Sequence, residues 1–231
     1  MPDYQKPKNL LLAKLSKSSF GRLLPKFDKV ELSYNHNLFN PGDRIRHIYF
    51  PESGIVSLLS AVGSNATVEV GIVGNEGMIG IPVFLGLKTS NLLAVVQGAG
   101  TALRMAADDL IKECASSDEL PKILRRFTHS LMIQISQSTA CNRFHPIDTR
   151  LARWLLLTQD LMKSSEFQIT QEFLTNMLGV RREAVNKAAK GFQQRGLISY
   201  SRGNLSILDR QGIEATACSC YRAIVDQKDV D

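Results

Sequence analysis

Short β-prone runs separated by turn sequences fill the chain from about residue 30 to residue 103. Strands are predicted at residues 45–50, 55–61, 67–73 and 92–97, where β-branched and aromatic residues are frequent. Strands at such close and regular spacing predict an antiparallel sandwich or roll. The turn signals are Asn40-Pro41-Gly42-Asp43, Pro51-Glu52-Ser53-Gly54, Val62-Gly63-Ser64-Asn65 and Val73-Gly74-Asn75-Glu76-Gly77.

Helical periodicity precedes and follows this β-rich region. Residues 1–29 mix lysines with Leu10, Leu11, Leu12 and Leu15, a spacing that predicts one short amphipathic helix. From Asp108-Asp109, which suit a helix start, apolar residues begin to recur every three or four positions. This apolar seam fits either packing on the chain's own core or a two-helix dimer contact. Its members are Leu120, Leu124, Phe127, Leu131 and Ile135.

The last third of the chain predicts a helix-turn-helix motif. A helix with Asp148-Thr149 as its N-cap comes first, and its Trp154 is expected in the core. Thr170 is a suitable N-cap for the next helix, and Gly179 can take the left-handed conformation that ends it. Its buried stripe is predicted to be Phe173, Leu174, Met177 and Leu178.

The second helix of the motif is predicted to start near Arg181 and to have an apolar and a polar face. Residues 196–200 and 205–208 follow as a two-stranded hairpin, or wing, with Arg202 at its turn, and a helix over 210–223 closes the domain. Helix, turn, helix and wing together are typical of DNA-binding proteins. Because such proteins commonly bind two-fold symmetric sites as dimers, this pattern favours the dimer contact for the apolar seam. The apolar face would contain Ala184, Val185, Ala188 and Phe192, and the polar face Arg181, Arg182, Glu183, Asn186, Lys187 and Lys190.

Composition agrees with a two-domain protein that has a polyanionic partner. The chain has 231 residues, enough for two compact cores, and its formal net charge is +6. The four cysteines form no Cys-x-x-Cys pair, so we expect them to be ordinary thiols in a reduced cytoplasmic location. We expect no metal site and no cofactor. No signal peptide or membrane-spanning run is recognised, and no membrane partner is expected.

Five motifs make the chain from about residue 25 to 222 resemble the Crp/Fnr family of transcription regulators. They are Asn40-Pro41-Gly42-Asp43, Phe50-Pro51-Glu52-Ser53-Gly54, Arg150-Leu151-Ala152 with Leu155-Leu156, the segment from Leu178 to Val185, and Gly196-Leu197-Ile198. The resemblance implies an α+β protein with a β-roll at 1–119, a dimerisation helix at 120–145 and a winged helix-turn-helix at 146–231. It further implies a homodimer on pseudo-palindromic double-stranded DNA, with RNA polymerase as a candidate partner.

The resemblance also implies which residues contact DNA. Arg182, Glu183 and Lys187 fall where the family reads its half-site, with Lys187 in place of a more usual arginine. Arg181 and Asn186 lie beside them, and Thr170 and Arg202 are candidates for further DNA contacts.

In the sensory half the sequence departs from members that bind cyclic AMP. Ile81 stands where those members have a glutamate, and no arginine follows Thr89 and Ser90, so no tight cyclic-nucleotide binding is expected. The effector is therefore unknown or absent, and its candidate pocket is Gly80, Ile81, Pro82, Thr89 and Ser90. No cysteine precedes Cys114, which argues against an iron-sulfur cluster, whereas four histidines leave haem as an open alternative.

Two other classes of function remain as alternatives. The winged helix could bind a protein instead of DNA, or the β-roll could act alone as a small-ligand-binding protein. An enzyme is not expected, because no Gly-rich phosphate loop, His-Glu-x-x-His or Gly-x-Ser-x-Gly motif is present.

Overall fold

A computed structural model describes residues 6–62 and 66–226. The chain divides into two compact units, one formed by Met1–Leu58 with Ile72–His129 and the other by Leu59–Gly71 with Ser130–Asp231. The second unit thus combines the outer part of a β-hairpin with the carboxy-terminal helices. No described helix is both long enough and apolar enough to cross a bilayer.

The amino-terminal part is an antiparallel β structure with helices at both ends. Its strands form two sheets, in the orders β1-β7-β3 and β2-β6-β4-β5, around a core that includes Ile48, Phe50 and Met78. The elements are α1 (Lys17–Leu23), β1 (Asp28–Leu32), β2 (Asn37–Phe39), β3 (His47–Pro51), β4 (Ile55–Val62), β5 (Ala66–Val73), α2 (Ile81–Phe84), β6 (Leu92–Gly98), β7 (Gly100–Ala106), α3 (Ala107–Ser116) and the long α4 (Glu119–Phe144).

The carboxy-terminal part is a winged helix. Trp154 is buried in its core and meets the ring of Phe167 edge-on, with centroids 6.4 Å apart, which confirms the packing role predicted for it. A three-stranded sheet in the order β8-β10-β9 forms the wing. The elements are α5 (Ile147–Met162), β8 (Glu166–Gln168), α6 (Gln171–Leu178), α7 (Arg182–Gln194), β9 (Ile198–Ser201), β10 (Asn204–Ile207), α8 (Arg210–Thr216) and α9 (Cys220–Val225).

The four predicted strands, the long helix and the wing hairpin are confirmed, while three helix predictions are wrong in detail. The single amino-terminal helix is instead α1 between two short 3-10 turns, because the Ser16 side chain caps α1 and starts a new helix there. Helix α5 begins at Ile147 after Pro146, without the Asp148 cap. The terminal helix is split into α8 and α9, since Ala217 is extended. Residues 1–5 and the turn at 63–65 lie outside the described residues.

Candidate nucleic-acid interface

The first helix of the helix-turn-helix motif, α6, is fixed at both ends. The Thr170 side chain accepts a hydrogen bond from the backbone N–H of Phe173 at 3.1 Å, as its predicted N-cap role requires. Gly179 ends the helix in the left-handed conformation, with φ of 59°. The buried Arg150 of α5 donates to the carbonyl of Leu178, one of the last carbonyls of α6, which lack partners within the helix. Both termini of α6 are therefore satisfied, and α6 is fastened to α5.

The second helix, α7, has a buried face and a charged face. Val185, Ala188 and Phe192 are buried, while the charged residues of its amino-terminal half are exposed. Four cations and one carboxylate leave this exposed face with a net charge of +3. Such a face is complementary to the phosphates and base edges of a DNA groove. Its charged residues are Arg181, Arg182, Glu183, Lys187 and Lys190.

Two residues of α7 lie between these faces. Ala184, expected on the apolar side, and Asn186, expected on the polar side, are both half-buried. The Oδ1 atom of Asn186 is buried and meets no hydrogen-bond donor among the described residues. The Asn186 side chain would therefore have to rotate to offer this oxygen to DNA.

Arg182 is positioned by a residue that the sequence analysis missed. Its Nη2 atom donates to Oε1 of Gln171 at 3.1 Å, a bond that joins the start of α7 to the start of α6. Because Gln171 already restricts the long Arg182 side chain, Arg182 loses less conformational entropy when it contacts a ligand. A polar residue directly after the N-cap Thr170 was the only signal in the sequence that could have suggested this role.

The wing presents Arg202 at its tip. Arg202 and Gly203 have φ of 50° and 81°, the left-handed conformations that a two-residue turn of type I′ requires at both positions. The backbone N–H of Ile169 donates to the carbonyl of Gly203 at 2.7 Å and holds the turn against the segment before α6. The Arg202 side chain is exposed at the tip of the wing.

The apolar seam of α4 is largely used within the chain itself. Leu120 is 1% exposed, Leu124 is 0% exposed, and Phe127 and Leu131 are also buried in the single chain, whereas Ile135 is half-buried. A Cβ atom at Gly77 would come within 2.5 Å of the Phe127 ring, which shows how closely that ring packs in the first unit. Packing on the chain's own core, which was the other interpretation of the seam, thus explains why these residues are buried.

The five residues expected at the effector position offer no charged group. Gly80 has φ of 103°, and a Cβ atom there would lie 2.7 Å from Cγ2 of Ile48, so close packing requires the glycine. Ser90 is buried, and its hydroxyl accepts a backbone N–H two residues on at 3.0 Å. Ile81 and Pro82 are half-buried, and Thr89 is exposed. A bound phosphate would find no cationic partner in this set.

A cluster of potential metal ligands lies within the second unit. The ligand atoms of Cys141, His145, Cys218 and Cys220 are all within 4.8 Å of one another, although the sequence analysis expected ordinary thiols. Burial, together with the neighbouring thiols of Cys220 and Cys141, raises the pKa of Cys218 to about 12. In the absence of a cation this sulfur is therefore a neutral thiol and a poor nucleophile.

Comparison with known proteins agrees with this geometry. The family model of the Crp-like helix-turn-helix domain matches residues 149–216. The CRP-like cAMP-activated global transcriptional regulator of Mycobacterium tuberculosis is 24% identical over 209 residues, which cover 87% of this chain and 92% of that protein.

Solved structures share the fold. A protein described as a Crp/Fnr-family regulator, from Eubacterium rectale, matches with a TM-score of 0.70 at 16% identity, over 90% of this chain and 98% of that one. The c-di-GMP responsive global regulator CLP of Xanthomonas campestris matches with a TM-score of 0.68 at 15% identity, over 84% of this chain and 100% of that one. Residues 149–216 thus match the Crp-like helix-turn-helix domain, and the chain shares its fold with solved structures described as Crp/Fnr-family regulators.

Proposed function

We propose that this regulator binds a pseudo-palindromic DNA site as a homodimer, with one α7 helix in each of two successive major grooves. The observation that carries the proposal is the exposed, net positive face of α7 within a Crp-like winged helix. Its polar groups match the chemistry of base edges, whereas the opposite face is committed to the core. In this arrangement residues 120–145 join a sensory domain, residues 1–119, to a DNA-binding domain, residues 146–231.

Each polar residue has a specific expected contact. Arg182 suits the O6 and N7 atoms of guanine, and the Glu183 carboxylate can accept from the N4 amino group of cytosine. Lys187 offers a point charge without a planar fork, so it selects its base less strictly than arginine would. Arg202 on the wing and the Thr170 hydroxyl at the start of α6 contact phosphates and set the register.

The exposed side of α4 supplies the proposed dimer contact. Six of its exposed residues recur alternately at four- and three-residue steps, the spacing with which two helices pack in a coiled coil. Met132 at its centre is 63% exposed in the single chain, and small side chains follow it. The row consists of Arg125, His129, Met132, Ser136, Thr139 and Arg143.

The effector, if one is needed, is not cyclic AMP in this proposal. Cyclic AMP would meet Ile81 where the members that bind it have a glutamate, and it would find no arginine after Thr89 and Ser90 for its phosphate. An effector bound to the sensory domain would change the crossing of the paired α4 helices and thereby the spacing of the two α7 helices. RNA polymerase is the proposed protein partner once the dimer is on DNA.

Selection of bound duplexes from a random DNA pool by the full chain tests this function. At a fixed salt concentration we expect an enriched inverted repeat, with its half-sites about 34 Å apart, and the same repeat when cyclic AMP is added. Enrichment that needs cyclic AMP would overturn the effector argument. Absence of any enriched sequence, with and without the nucleotide, would contradict sequence-specific binding.

A further inference from the structure

We propose that Cys141, Cys218 and Cys220, as thiolates, and His145, through Nδ1, bind one zinc ion at the junction between α4 and the carboxy-terminal helices. This site is separate from the DNA-contacting face of α7, and its existence does not depend on the proposed DNA-binding function. Three cysteines and one histidine form a donor set typical of structural zinc sites. Metal binding replaces the three thiol protons, which are released to solvent.

Two distances within the cluster match those of a tetrahedral zinc site. With Zn–S near 2.3 Å and Zn–N near 2.0 to 2.1 Å, tetrahedral geometry places two sulfurs about 3.7 Å apart and a sulfur about 3.5 Å from the nitrogen. The Sγ atoms of Cys141 and Cys218 are 3.6 Å apart, and Sγ of Cys220 is 3.5 Å from Nδ1 of His145. A disulfide would require sulfurs about 2.05 Å apart, and these cysteines are free.

The backbone holds the four ligands in two pairs. Cys141 and His145 are one helical turn apart, and the His145 N–H donates to the Cys141 carbonyl at 3.1 Å, which continues the helical pattern just beyond α4. Cys218 and Cys220 flank Ser219 at the break between α8 and α9. Cys141 and Cys220 are buried, and the other two ligands are half-buried, so the site is largely shielded from water.

Two neighbouring side chains suit a bound metal. Nε2 of Gln137 donates to Sγ of Cys220 at 3.0 Å, a hydrogen bond that orients the sulfur and stabilises its negative charge. A zinc ion with three thiolates and a neutral imidazole carries a net charge of −1. The buried guanidinium of Arg153 acts electrostatically on Cys141 and offsets that charge.

The site would act as a structural clamp. It joins the last turn of α4 to the start of α9, two segments that are 77 residues apart between Cys141 and Cys218. Loss of the metal would free the carboxy-terminal helices from α4. The effect of that release on DNA binding rests on the proposed function, whereas metal binding itself does not.

Metal content of the full-length protein tests the proposal directly. Protein purified under reducing conditions without chelators is expected to contain about one zinc per chain by elemental analysis. The double variant Cys218→Ser/Cys220→Ser is expected to lose it, while Cys114→Ser, whose thiol lies outside the cluster, retains it. Zinc-free wild-type protein, equal zinc in both variants, or a Cys141–Cys218 disulfide found by mass spectrometry would overturn the proposal.

Cobalt substitution keeps the proposal testable even if the double variant fails to fold. Wild-type protein loaded with Co²⁺ is expected to show sulfur-to-cobalt charge-transfer bands and the visible bands of a tetrahedral ion.

Gln137→Ala keeps all four ligands but removes the hydrogen bond to Cys220, so its zinc affinity should fall about 10- to 100-fold. Octahedral cobalt spectra, or unchanged affinity in Gln137→Ala, would contradict the assigned geometry. These measurements use no DNA, so their failure is distinct from failure of the DNA-binding proposal.

Discussion

Arg150 is a buried cation that donates a hydrogen bond to a backbone carbonyl and thereby joins α5 to α6. Without it the carbonyl of Leu178 would be left unsatisfied at the end of α6. The motif Arg150-Leu151-Ala152 was recognised in the sequence through its resemblance to a family. The sequence could not show the hydrogen-bond partner of Arg150, because that partner is a backbone atom 28 residues away that the fold brings close.

Replacing Arg150 by methionine should destabilise the second unit by about 1.5 to 3 kcal/mol, the usual value for a hydrogen bond to a charged group. Urea unfolding followed by the fluorescence of Trp154, the only tryptophan, reports on this unit. The exposed Lys163 provides the control, and Lys163→Met should leave the midpoint nearly unchanged. Equal effects of the two substitutions would show that the Leu178 contact contributes nothing.

Gly179 and Gly196 form a matched pair for testing the turn of the motif. Both have positive φ, but an added Cβ atom at Gly196 would meet nothing within 4 Å, whereas at Gly179 it would lie 3.0 Å from Cγ2 of Val68. Gly196→Ala should cost about 1 to 2 kcal/mol for the left-handed conformation alone. Gly179→Ala should cost more, since Val68 must also shift. The same Trp154 unfolding assay compares them, and a smaller loss for Gly179→Ala would contradict the observed packing.

At the scale of elements, α8 and α9 are fastened to α5 by a polar network. Arg210 donates to Oδ1 of Asp160 at 2.8 Å and to the Tyr221 hydroxyl at 2.8 Å, and that hydroxyl donates to Oδ2 of Asp160 at 2.7 Å. Because every member has a partner, the network is well suited to hold these short helices in place.

This network predicts a specific alkaline sensitivity. Burial and the hydrogen bond to Asp160 raise the pKa of Tyr221 to about 12. Because the folded value exceeds the unfolded value of about 10, the contribution of Tyr221 is complete below pH 10 and is lost as the pH rises to about 12. Tyr221→Phe should lower stability at pH 8 by about 0.5 to 1.5 kcal/mol. Urea unfolding at several pH values should show a smaller loss between pH 10 and 12 for this variant, and identical slopes would refute the assignment.

Local signals explain which elements the sequence could predict. The Thr170 cap, the Gly179 end and the wing turn at Arg202-Gly203 each depend on neighbours in the chain, so their conformations could be read from residue types. The break between α8 and α9 was missed because apolar spacing continues through it. For the α4 seam, periodicity predicted a buried face but could not show which partner buries it.

The proposed binding to a pseudo-palindromic site requires two copies of the chain. Glutamate in place of Met132 would put charges on the exposed row of α4 and should convert a dimer into monomers in sedimentation experiments. Ile111, which is 50% exposed on α3, is the control, and Ile111→Glu should leave the dimer intact. A Met132→Glu protein that remains dimeric would exclude this row as the contact.

Long-range contacts are what the sequence could not provide. The proposed zinc ligands come from residues 141–145 and 218–220, and their spacing in the sequence does not indicate that the fold brings the two pairs together. Gln171 and Arg182 illustrate the same point within the helix-turn-helix motif, since the hydrogen bond between them depends on how α6 crosses α7. The chemistry of the exposed α7 face, in contrast, could be inferred from residue order alone.

The most direct test of the central claim measures the affinity of wild-type protein and α7 variants for the selected inverted repeat and for a duplex with one scrambled half-site. Arg182→Ala and Glu183→Ala should each lose about 1 to 3 kcal/mol of discrimination between these duplexes, which is about 5- to 150-fold. Lys112→Ala, an exposed cation on α3, should change neither affinity appreciably. If both α7 variants keep wild-type discrimination, α7 does not read the DNA sequence and the proposed function is wrong.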